Sequence, residues 1–226
     1  MGISHPFPAQ VLNTMVAHSL PDSPYAKRRA SCEAVARAMA ETWPERTITH
    51  LRDASDLGDA QGLQMVEDVL AAGAVSDEDA RRARHGVLEN NRVRRAARAF
   101  GAKDWPALGA LMTAAHASLR DLYAVSCAEL DLACDAAADL DGCHGARMMG
   151  GGFGGCVIAL CDPAKAQTVA TDLKARYKAR TARLTGGEGI DATVFATTPG
   201  PGASLQAPDD PHPVQAIDIP ALWATS

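Results

Sequence analysis

Gly145-Ala146-Arg147-Met148-Met149-Gly150-Gly151-Gly152-Phe153-Gly154-Gly155-Cys156-Val157-Ile158-Ala159-Leu160 is the stretch on which the reading of this 226-residue chain turns. Residues 144–149 and 156–160 read as strands, and between them five of six residues are glycine. Each glycine costs roughly 0.5–1 kcal/mol relative to alanine inside a regular element, so the run forgoes several kcal/mol. A domain's net stability is only about 5–15 kcal/mol, and a hairpin that merely turns needs one or two glycines. Two readings account for the excess. A backbone bare of side chains lets N–H groups converge on an anion, or lets a substrate come very close, as phosphate loops do. Alternatively, the run is a tight loop pressed against a neighbouring helix, with Phe153 as its plug.

Working outward, residues 11–16 form a short apolar stretch that reads as a strand. Ser23 is placed to cap a helix with Pro24 at its first position, and Cys32, Val35, Ala36 and Met39 give that helix one apolar stripe ending before Pro44. A second helix opens on the capping box Ser76 to Asp79 and closes on Val93, Ala96, Ala97 and Phe100 before Gly101. A third follows Asp104, with its stripe on Leu108, Leu111, Met112, Ala115 and Leu119. A fourth starts at Ser126 with Glu129 completing a box, and buries Leu130, Ala133, Cys134 and Ala137. After the glycine run, Asp162 and Pro163 start a helix striped by Ala166, Val169, Ala170, Leu173 and Tyr177, and residues 192–197 supply a further strand. The sum is an α+β fold, helices packed on a small, mainly antiparallel sheet. From Pro199 onward six prolines and little apolar periodicity predict an extended or mobile tail, residues 199–226.

Composition narrows the function. Hydrophobic residues make up 47% of the chain, enough to fill a core. Lys and Arg total 22 against 27 Asp and Glu, a net charge of −5, so no basic field is available to hold nucleic acid. No run of about 18 apolar residues reads as a membrane span, and residues 1–10 show no signal-peptide pattern, so a cytoplasmic protein is expected. The six cysteines form no C-x-x-C pair and read as reduced core residues. His85, His116 and His144 lie in separate elements without metal-ligand spacing.

The string from Gly145 to Gly155 closely resembles the third signature motif of the galactokinases, sugar kinases of the GHMP class. A second block, His18-Ser19-Leu20, Ser23-Pro24-Tyr25, Arg28-Arg29 and Cys32-Glu33, resembles the segment that follows the central strand of that family. A third comprises His85, Glu89-Asn90, Arg92, Ser118-Leu119-Arg120-Asp121, Tyr123, Ser126-Cys127 and Glu129-Leu130-Asp131. The resemblance runs from about Val11 to Pro199. It implies the GHMP kinase C-terminal lobe over residues 1–198, with 1–20 a remnant of the N-terminal lobe.

The resemblance also implies transfer of the γ-phosphate of ATP, with Mg²⁺, to the anomeric hydroxyl of galactose. Tyr25 matches the tyrosine that packs at the sugar; Gly151, Gly152 and Gly154 match the loop beside substrate and phosphate, and Gly150 with Gly151 would border the nucleotide phosphates. Arg28 would lie close enough to help hold charge, although a solvated helix start is the plainer reading of Arg28 and Arg29. His85, Glu89 and Arg92, at i, i+4 and i+3 spacings, are expected to brace the helix, and Asp121 to support the fold. Two positions depart from the family pattern: Met149 where threonine is usual, and Leu122 where an acid is usual.

The phosphate loop and catalytic aspartate of the family belong to sequence preceding Val11. The chain is therefore expected to need an N-terminal half, supplied separately or by a longer gene product. The alternatives are a non-catalytic sugar- or nucleotide-binding module and an inactive fragment.

Overall fold

The structure, a computed structural model, describes residues 9–16 and 25–197. Ser23, Pro24, the block His18-Ser19-Leu20 and the proline-rich stretch from Pro199 lie outside the described residues.

One antiparallel sheet carries the strands in the order β2-β3-β1-β4, with β1 at Ala9–Asn13, β2 at Cys143–Met148, β3 at Cys156–Cys161 and β4 at Thr193–Thr197. Although β1 comes first in sequence it is an interior strand, with Val11 facing Ile158 on one side and Phe195 on the other. Alternation along the strands sends Leu12, Ala146, Met148, Val157 and Ala159 to one face. There they form a single apolar core with Leu130 and Ala133 of α6 (Ala128–Ala138) and Val169, Leu173 and Tyr177 of α7 (Ala166–Thr185).

A second core is purely helical. Val35 and Met39 of α1 (Tyr25–Thr42) meet Leu51 and Ala54 of α2 (Leu51–Ser55), Met65, Val66 and Val69 of α3 (Asp59–Ala71), and Ala80, Ala83 and Val87 of α4 (Asp77–Ala102). The link between the cores is α5 (Trp105–Ser118), which packs on α4 and on β2. The backbones of α5 and β2 touch at Gly109 and Gly145: a Cβ on Gly145 would overlap the main chain of Gly109, and one on Gly109 the carbonyl of His144.

The predicted α+β architecture of helices on an antiparallel sheet is the one observed. The Ser76 box caps α4 as expected, with Ser76 Oγ accepting from Asp79 N–H at 3.2 Å. Asp104 caps α5 through the Ala107 N–H at 3.0 Å. Three features differ. First, α4 runs through Gly101 to Ala102 and ends on Lys103 in the left-handed region, so Gly101 is not its stop. Second, Ser126 does not cap α6. Cys127 occupies the N-cap position, and Ser126 Oγ instead donates to the Asp131 carboxylate at 2.5 Å. Third, the helical pattern ending on Leu119 conceals a π-helical turn over Leu119–Tyr123, closed by Ala124 at a φ of 56°. A π turn carries one more residue than an α turn and redirects the chain, here toward the glycine run.

Candidate functional site

The Met149 N–H donates to the Cys156 carbonyl at 2.8 Å and closes the β2–β3 hairpin, leaving residues 150–155 as its loop. Gly150, Gly152, Gly154 and Gly155 all take positive φ, as does Phe153 at 61°. Three anchors fix the far half of this loop. Phe153 N–H donates to the Val125 carbonyl at 2.7 Å, and Gly155 N–H to Val16 at 3.0 Å. The Gly155 carbonyl accepts from both the N–H and the hydroxyl of Thr14, at 2.9 and 2.7 Å. Thr14 is held in turn by the buried Tyr177, whose hydroxyl donates to its carbonyl at 3.0 Å. Gly152 is buried, and a Cβ there would overlap the Val125 carbonyl. Gly150 and Gly151 are exposed, and around Gly150 a Cβ would meet nothing. The two readings of the run thus divide it: residues 152–155 are pressed on their neighbours with Phe153 as plug, while 150–151 form an open backbone rim.

Tyr25 and Arg28 lie on the first turn of α1 and reach this loop together. A Cβ on Gly151 would overlap the Tyr25 hydroxyl, and the Tyr25 ring meets Phe153 edge to face at 6.1 Å. Arg28 is only 7% exposed, which sets aside the solvated-helix reading for this residue. Its Nε donates to the Tyr123 carbonyl at 2.9 Å, another nitrogen donates to the Ala124 carbonyl, and the guanidinium lies 4.9 Å from the centroid of the Phe153 ring. Burial, then the nearby Arg82, pulls its pKa below the ordinary arginine value. A cation under an aromatic face, bonded to two carbonyls at the end of a π turn, ties that turn to the glycine loop. Arg29, by contrast, pairs on the surface with Glu33 at 2.7 Å.

Behind the π turn, His85 Nδ1 sits 2.8 Å from Ser118 Oγ and its ring stacks on Tyr123 at 4.6 Å. Burial lowers its pKa to about 4 and keeps the imidazole neutral. Glu89 pairs with Arg92 as the ladder reading expects, and also reaches Arg147 of β2 at 3.4 Å; His85 turns across to α5. Asp121 pairs with Arg120 on the surface at 2.7 Å. Cys32, Cys127, Cys134, Cys143 and Cys156 carry free thiols, and burial pushes the Cys134 and Cys143 thiols up and that of Cys161 to about 11, as suits inert core thiols. Tyr123, Val125, Thr14 and Tyr177 were not singled out as site residues from sequence: Tyr123 and Val125 act through backbone carbonyls, and Thr14 and Tyr177 through hydroxyls aimed at backbone far away in sequence, which no local spacing reveals.

Residues 96–179, which include α5, the π turn, α6 and the whole glycine loop, match the family model described as GHMP kinases C terminal. The galactokinase of Homo sapiens is 40% identical over 168 residues, 74% of this chain and 38% of that protein. That of Mycobacterium tuberculosis H37Rv is 38% identical over 197 residues, 86% of this chain and 47% of that protein. The chain carries the C-terminal domain of a GHMP kinase. Among solved structures, that of Lactococcus lactis galactokinase complexed with galactose superposes with a TM-score of 0.71 at 29% identity, over 86% of this chain and 45% of that one. The chain therefore spans between about two fifths and one half of the length of these relatives. Among the described residues of this GHMP domain no helix is long and apolar enough to cross a membrane. Nor, among them, do three or more His, Cys, Asp or Glu side chains gather in one place.

Proposed function

We propose that this GHMP kinase domain is the C-terminal lobe of a galactokinase, phosphorylating the anomeric hydroxyl of galactose at the expense of ATP once an N-terminal lobe completes the site. The contact of Gly151 with the Tyr25 hydroxyl at an exposed rim carries this reading, because it brings two separate galactokinase-like blocks to one point. In it, the Tyr25 ring offers an apolar face to the sugar, and Gly151, Gly152 and Gly154 keep the backbone bare beside it. Gly150 and Gly151 leave room for the nucleotide phosphates to approach. Arg28 serves the site from beneath: its charge lies under Phe153 and its hydrogen bonds hold the end of the π turn. Base and Mg²⁺ ligands are assigned to the other lobe. A cytoplasmic setting agrees with the free thiols of Cys32, Cys127, Cys134, Cys143 and Cys156.

A coupled ATP-turnover assay with galactose tests the reading. Turnover is expected when this chain is mixed with, or joined to, a galactokinase N-terminal lobe, and not from the chain alone. Unaided turnover would overturn the division of labour between lobes. Heat released on galactose titration of the lone chain, with no turnover in the mixture, would instead establish a sugar-binding module.

A further inference from the structure

We propose that His116, oriented by Asp131 and Ser126, positions the glycine loop by holding the outward-facing N–H of Met148. In β2 the Met149 N–H points to β3, so by antiparallel alternation the Met148 N–H points away from the sheet, at its open edge. An edge N–H in a buried setting needs an acceptor. The His116 Nδ1 supplies it at 3.4 Å from α5, with the ring only 4% exposed. This fixes the tautomer: a nitrogen that accepts carries no proton, so the proton sits on Nε2.

Nε2 lies 3.2 Å from Asp131 Oδ1, yet at an angle that forms no conventional hydrogen bond. Its attraction to the carboxylate is electrostatic and sets the orientation of the ring. Asp131 is in turn fixed by the Ser126 hydroxyl at 2.5 Å. Ser126 follows Val125, whose carbonyl holds the Phe153 N–H. Both arms of the glycine loop, at Met148 and at Phe153, are thereby referred to the same two residues after the π turn. The arrangement places His116 as a positioning residue, not a catalytic one. Its meaning for turnover rests on the kinase reading above; its meaning for loop order does not.

An asparagine Oδ1 sits where a histidine Nδ1 does, so His116→Asn keeps the acceptor for Met148, whereas His116→Leu removes it. Amide hydrogen exchange over residues 148–153 of the full chain is expected to be roughly tenfold faster in H116L and within about threefold of wild type in H116N. Ser126→Ala, which leaves the core intact, is expected to fall between the two. In the enzyme completed by an N-terminal lobe, H116L lowers kcat with little change in KM for galactose, and H116N restores it. Equal exchange in H116L and wild type, or equal loosening by H116N and H116L, overturns the proposal. Should H116L fail to fold, unchanged loop exchange in S126A does so. Should the completed wild-type enzyme lack turnover, the kinase reading falls and the exchange measurements still decide the role of His116.

Discussion

Gly151 and Gly152 are neighbours under different constraints, and exchanging each for alanine separates the site from the scaffold. At Gly152 the φ of 87° and the Val125 carbonyl both oppose a side chain, and neither is able to yield. Gly152→Ala is expected to cost about 1–3 kcal/mol, read as a lowered denaturation midpoint. At Gly151 the obstacle is the far end of the exposed Tyr25 side chain and not backbone. Gly151→Ala is expected to change stability by less than about 1 kcal/mol while depressing turnover of the completed enzyme. From sequence both glycines looked alike, because a motif records that the backbone is bare and not what presses on it. Arg28 was ambiguous for a related reason. Burial of a guanidinium at a helix start depends on which carbonyls the rest of the chain brings there, and Tyr123 and Ala124 are 95 and 96 residues away.

At the level of elements, legibility followed the local signals. The Ser76 box, the Asp104 cap and the stripe of Val169, Leu173 and Tyr177 depend on residues within a few positions of one another, and the structure keeps all three. The sequence reading passed over α2 and α3. Met65, Val66 and Val69 do carry a helical spacing, but Gly62 interrupts its start, and that glycine is there because Ala54 and Val87 crowd it. The π turn was hidden since Leu119 fits the α5 stripe equally well. The contact of α5 with β2 is one of backbone on backbone. Gly145→Ala is expected to force them apart at a cost of about 1–3 kcal/mol or more, visible in thermal melts, and to weaken Met148 protection in the same variant.

Across the whole molecule the two cores meet where His85 joins α4 to Ser118 and Tyr123. With its pKa lowered to about 4 from 6.5, this histidine is tolerated in its neutral form, among Glu89, Arg92 and Arg147. Its contribution to stability is complete above about pH 6.5, declines as the pH falls, and is exhausted below about pH 4. Chemical denaturation between pH 7.5 and 4.5 is expected to show a loss on the order of 2 kcal/mol that His85→Phe abolishes, whatever that variant costs at neutral pH. The π turn at Leu119–Tyr123 has a consequence of its own for how this chain tolerates change in length. Removing a single residue there would relax it to ordinary helix and rotate everything downstream by about 100°, swinging the Val125 carbonyl off the loop it holds. Around Gly73 the chain is exposed and its hydrogen bonds reach back only to Val69 and Leu70 at the end of α3, so an inserted residue disturbs one helix end and not the glycine loop. The spacing between Ser118 and Val125 is thus a measured gauge, and the interval after α3 mere slack.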